Sequence, residues 1–143
     1  MRHLLLATAF LLIVFTIGGC KERDPQNVPE MKEKLVSKVN MALWKVDATK
    51  AQRMKMDHLL DGLAPDLFAF QQEDKAIQRS IIEALHANPV DQPQLEAMQK
   101  KGLDLFDRYT LRLVVAAMDT SAILNLGQRR ELLDLWRKWE FGE

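Results

Sequence analysis

Residues 67–116 read LFAFQQEDKAIQRSIIEALHANPVDQPQLEAMQKKGLDLFDRYTLRLVVA, and the organisation of the chain follows from them. Leu67, Phe70, Ile77, Ile81 and Leu85 recur three, four or seven positions apart, which puts them on one face of a helix. His86-Ala87-Asn88-Pro89-Val90 closes that stripe, because the residue before a proline is pushed out of the α region. Asp91 then opens a second long stripe through Leu95, Met98, Gly102, Leu105, Tyr109, Leu113 and Ala116. Two long apolar stripes joined by a short break predict helices folded back on one another.

The same period continues on both sides. Val36, Val39, Leu43 and Val46 predict a helix over about 30–45, and Met56, Leu59, Leu60 and Leu63 predict another. Gly62 and Pro65 interrupt there, and the proline has no N–H for the preceding turn, so a kink or a restart is expected. A final helix carries Leu132, Trp136 and Trp139 on one side. No segment alternates strictly, and no Asn-Gly turn occurs. The expected fold class is all-α, with four to five helices forming an elongated helical hairpin.

Three predicted helix starts share one device. Thr49-Lys-Ala-Gln52, Asp91-Gln-Pro-Gln94 and Asn125-Leu-Gly-Gln128 each place a short polar cap three residues before a glutamine. The cap accepts from an orphaned backbone N–H, and the glutamine can reach back to the cap's own N–H.

The N-terminus has a different character. Arg2 and His3 precede 14 uncharged residues, Leu4 to Ile17, too few for the roughly 20 needed to span a bilayer. Ile17-Gly18-Gly19-Cys20 follows, and Cys20 is the chain's only cysteine. This pattern resembles the lipobox of bacterial lipoproteins. It implies a signal peptide over residues 1–19, a lipid such as palmitate on Cys20, and a flexible tether over residues 20–30. The helical domain then spans residues 31–143. Lys21 stands where an aspartate would favour inner-membrane retention, so the expected place is the outer membrane, facing the periplasm.

The mature part would hold all 20 acidic and 19 of the 20 basic residues. Such a balance lacks the strong positive charge that nucleic-acid binding wants. A single cysteine forms no disulfide within the chain, so stability rests on apolar packing.

Ala48-Thr49-Lys50-Ala51-Gln52-Arg53 and Leu124-Asn125-Leu126-Gly127-Gln128-Arg129 resemble degenerate copies of the paired Leu-Thr-x-x-Gln motifs of the Spy/CpxP family. The segment from Asp74 to Lys101, with its break, has that family's helix–break–helix layout, and the resemblance covers about residues 31–140. Ala48 stands in place of the usual leucine, and Asn125 occupies the threonine slot. The resemblance implies an antiparallel homodimer with a concave face that holds unfolded clients or a signalling protein, without a cofactor. Related metal-resistance proteins of the CnrX and ZraP type bind metal ions instead, and the third alternative is a structural helical lipoprotein that only links membrane and partner.

The residues themselves carry little chemistry. The chain has no Gly-rich phosphate loop and no His-Glu-x-x-His. The serine and threonine hydroxyls of the mature part, Ser37, Thr49, Ser80, Thr110, Thr120 and Ser121, stand in no recognisable nucleophile setting, so no enzyme is expected. His58 and His86 are the candidate metal ligands if helices bring them together, and six methionines of the mature chain are soft donors that more often fill cores. Met54 and Met56 lie two apart, on different sides of a helix. Lys45, Lys50, Arg53 and Lys55 surround the first motif beside Trp44 and Met54. Arg129, Arg130, Arg137 and Lys138 lie beside Trp136 and Trp139. Basic residues interleaved with apolar ones suit promiscuous capture of flexible chains, and equally suit solvated faces flanking core stripes.

Overall fold

The computed structural model describes residues 23–142, apart from the side chains of Trp139 and Glu140. The expected signal peptide and the expected lipid site at Cys20 lie outside the described residues. Four helices follow in order: α1 Val28–Lys45, α2 Lys50–His86, α3 Gln92–Ile123 and α4 Leu126–Phe141. Among the described residues there is no strand, and no helix is long and apolar enough to cross a membrane. The protein is all-α.

The expected kink or restart at Pro65 does not divide the chain into two helices. α2 runs unbroken for 37 residues with Pro65 inside it, about 55 Å at 1.5 Å per residue. Two facts account for this. Pro65 is exposed, so the carbonyl it leaves unbonded one turn earlier faces water. Its neighbours Leu63, Ala64 and Leu67 are all buried, and their packing outweighs the local preference.

Residues 24–30, read as part of a flexible tether over 20–30, instead lead into and begin a helix. α1 starts at Val28, with Asn27 as its cap: the Asn27 side chain accepts from the Glu30 N–H at 2.9 Å. The Glu30 carboxylate accepts in turn from the Gln26 N–H at 2.8 Å. Pro29 falls in the first helical turn, where a missing N–H costs nothing. Pro25 is buried, and Asp24 pairs with Lys75 of α2 at 3.0 Å. The segment is ordered from Asp24 onward because its polar groups satisfy a helix end.

α1 lies on the α2–α3 hairpin. Met31 and Leu35 of α1 join Leu60, Leu63, Ala64 and Leu67 of α2 and Leu113, Ala116 and Ala117 of α3 in one core. A second core at the base collects Leu43, Val46, Ala48, Met56, Leu124 and Leu132. The far half of the hairpin has a thinner core of Ile77, Met98 and Leu105. Arg112 with Asp66, and Arg108 with Glu73 at 2.7 Å, clasp α2 and α3 along their length.

The α1–α2 connection is a tight reversal. Asp47 takes the left-handed conformation (φ 49°). The Asp47 N–H donates to the Trp44 carbonyl at 3.3 Å, and the Ala48 N–H to the Leu43 carbonyl at 3.0 Å. This is a Schellman end, and the buried Ala48 against Leu43 is its accompanying apolar contact.

Two predictions follow from this packing. Pro65→Ala restores a donor and removes a ring clash at an exposed position, so the urea midpoint should rise, by about 1–3 kcal/mol in stability; a fall would mean that the core needs the proline. Tyr109, the chain's single tyrosine, packs edge-on against Phe70 with ring centroids 5.5 Å apart, and burial pushes its phenol up to about 12 from 10.0. The folded state therefore favours the neutral phenol. That contribution is complete below pH 10 and is lost as the pH climbs towards 12. Phenolate absorbance should titrate near 12 in the folded chain and about two units lower in urea.

Candidate functional site

The two motifs meet at the base of the bundle. Thr49 accepts from the Gln52 N–H at 3.2 Å, and Gln52 Oε1 accepts from the Thr49 N–H at 2.9 Å. Asn125 and Gln128 repeat the arrangement at 2.9 and 3.1 Å. Both are full capping boxes. The third expected box is only half formed: Asp91 caps the Gln94 N–H at 3.0 Å, but the Gln94 side chain donates across the hairpin to the Ser80 carbonyl.

Sequence reasoning treated the glutamines as local punctuation and missed their pairing. Gln52 Nε2 donates to Gln128 Oε1 at 2.8 Å, and Gln128 Nε2 donates back to Gln52 Oε1 at 3.1 Å. Each amide also makes a third contact, to a backbone carbonyl. Gln52 Nε2 donates to the Ile123 carbonyl at the end of α3, 3.0 Å away, and Gln128 Nε2 reaches the Asp47 carbonyl at 3.4 Å. Two residues 76 positions apart thus tie together four chain segments. Gln128 is buried and Gln52 half-buried, so these bonds compete with little water. The one signal available in the sequence was that two of the three cap–x–x–Gln starts, those at Thr49 and Asn125, also share the arginine that follows the glutamine.

Around this pair the surface is apolar and basic. Trp44 is 69% exposed, Met54 66%, Leu126 55% and Met41 50%. Lys45, Lys50 and Lys55 are exposed beside them. Arg53 is turned to structure, donating from Nε to the Ala48 carbonyl at 3.0 Å. Met56, two positions from Met54, is buried, and its sulfur accepts from the Thr120 hydroxyl at 3.8 Å.

The second basic and aromatic cluster divides. Arg130, Arg137 and Lys138 are exposed, whereas the Arg129 Nε and Trp136 Nε1 atoms are buried without a hydrogen-bond partner. Trp136 packs edge-on against Phe141 at 5.2 Å. Trp139 lies outside the described side chains.

The histidines do not converge. His58 and His86 are both on α2, 28 residues apart on one continuous helix, or about 42 Å at 1.5 Å per residue. The expectation that separate helices bring them together fails within one chain, because the stretch read as two helices is one. Among the described residues no group of three or more His, Cys, Asp or Glu side chains is placed to hold a metal ion.

Comparison with known proteins finds no matching family, no matching curated protein and no matching solved structure.

The amide pair makes a measurable coupling. Gln52→Ala and Gln128→Ala should each cost about 1–3 kcal/mol, since each leaves a buried amide and two backbone groups short of partners. The double variant should cost less than their sum by about 0.5–3 kcal/mol. Urea unfolding of the four proteins checks this; strict additivity would mean that the two amides act separately.

Proposed function

We propose that this chain is a lipid-anchored periplasmic protein of the Spy/CpxP kind, which binds unfolded or signalling polypeptides at the base of its helical hairpin without ATP. The observation that carries the reading is the base itself. A rigid platform, locked by the Gln52–Gln128 pair, presents Trp44, Met41, Met54 and Leu126 to solvent among Lys45, Lys50 and Lys55. Flexible methionines and a large aromatic on a firm support accommodate many apolar sequences. The lysines add attraction for acidic or partly folded chains over a screening length of roughly 10 Å. The lipobox-like run ending at Cys20 supplies the anchor. A second copy of the chain is the expected partner for the outer face of α3, where Leu111, Val115 and Met118 are exposed.

The lipidated chain in nanodiscs should suppress aggregation of a reduced, unfolding client at near-stoichiometric amounts. Trp44→Ala with Met54→Ala should raise the amount needed several-fold while leaving the unfolding midpoint in place, since both side chains are largely in water. Unchanged suppression would remove the base from consideration. Calorimetric titration with zinc, copper, nickel and cobalt is the companion measurement, and tight one-site binding would move the assignment to a metal sensor of the CnrX or ZraP type.

A further inference from the structure

We propose that the far half of the α2–α3 hairpin rests on the phospholipid surface to which the chain is tethered, so that the base and its apolar platform are held at a defined place relative to the membrane. This rests on the lipid anchor at Cys20.

The geometry begins with chain length. Asp24 is pinned to Lys75, Pro25 is buried, and Gln26 is bonded to Glu30. Only Lys21, Glu22 and Arg23 separate Asp24 from Cys20. Four residue steps reach at most about 14 Å, so a lipid on Cys20 enters the bilayer within that distance of Asp24 and the Lys75 turn. Lys75 sits well along α2, 25 residues from its start and 11 from its end, or about 37 Å and 16 Å at 1.5 Å per residue. The anchor thus lies beside the far half of the hairpin and away from the base.

That half is also where α1 stops covering the hairpin. α1 begins at Val28, and its packing residues Met31 and Leu35 meet α2 no farther along than Leu67 in the main core. Beyond it α2 and α3 continue as a pair, and large apolar side chains come to the surface. Phe106 is 65% exposed, Leu103 62%, Leu85 56%, Ile82 55% and Val90 50%. Ile82 follows Lys75 by seven residues, so it shares the side of α2 on which Asp24 docks. The register set by Arg112–Asp66, Arg108–Glu73 and Gln94–Ser80 places Phe106 level with the same turn. Arg79 and His86 lie four and eleven positions after Lys75, again on that side, and are exposed.

An exposed apolar surface with a basic side chain, Arg79, at its edge suits the boundary between headgroups and acyl chains. Asp24 answers Lys75, which leaves Arg79 for lipid phosphates. The short tether makes the encounter intramolecular, with an effective concentration in the millimolar range, so even a weakly lipophilic face docks.

The test uses the full chain, processed by cells and reconstituted in phosphatidylethanolamine/phosphatidylglycerol vesicles. Lipidation consumes Cys20, so an introduced cysteine is the single free thiol. Nitroxides are placed through Ile82→Cys and Phe106→Cys at the far half and through Asp119→Cys, an exposed position near the other end of α3. The oxygen-to-nickel accessibility ratio at positions 82 and 106 should clearly exceed that at 119, as for side chains seated at the headgroup–acyl boundary. Equal ratios at all three, in protein whose mass shows lipid on Cys20, overturn the docking and leave the anchor intact. A mass without lipid overturns the anchor, and the docking with it. Shielding that persists in detergent micelles and rises with protein concentration assigns the face to a second copy and also overturns the proposal. Helical circular dichroism identical to the unsubstituted chain confirms that each variant is folded.

Discussion

Every helix end leaves backbone N–H and carbonyl groups that must find partners, and at the base of this protein two glutamine amides meet that demand together. Gln52 and Gln128 each close a capping box with their own helix start, then spend what remains of their hydrogen-bonding capacity on one another. The Ile123 and Asp47 carbonyls take further donors from the same amides. The constraint is exacting because an amide has only two donor hydrogens and one acceptor oxygen. The starts of α2 and α4, the end of α3 and the α1–α2 turn therefore hold their positions jointly. The Schellman end at Asp47 and the buried Ala48, Leu43, Leu124 and Leu132 are the apolar counterpart of that knot.

From this fixed base the bundle changes character along its length. Near the base three helices share a core, and α4 closes the end. Farther out α1 gives way to the ordered segment from Asp24 to Asn27, and α2 and α3 go on alone. A helix pair buries less than a trio, so exposed apolar side chains accumulate there for a geometric reason. The base presents its own apolar residues around a firm support. The two surfaces lie toward opposite ends of a helix pair about 55 Å long.

The fold was largely legible in the sequence because helical periodicity is a local signal. The stripe Met98, Leu105, Leu113 and Ala116 is buried as its spacing indicated, and Thr49, Asn125 and Asp91 all cap helices. The misreadings come from a local rule outweighed by distant contacts and, near Asn27, from a local cap left unread. Pro65 signals a break, yet buried Leu63, Ala64 and Leu67 carry the helix through it. Pro25 and Pro29 signal a linker, yet Asn27 and Glu30 form a cap of the same three-residue spacing as the other boxes, and Lys75 holds Asp24. His58 and His86 were candidates for one site only while α2 was read as two helices.

The sequence by itself determined that this is a helical protein, where most of its helices begin, which faces are apolar, and that a lipobox-like run precedes the domain. Those are properties of neighbours along the chain, set by side-chain period, cap chemistry and hydrophobicity. Only the tertiary structure decided that Gln52 pairs with Gln128, that Asp24 docks on Lys75, and which apolar residues stay in water. Each of these depends on how helices far apart in sequence lie against one another, and periodicity within a helix carries no information about the residue across the groove.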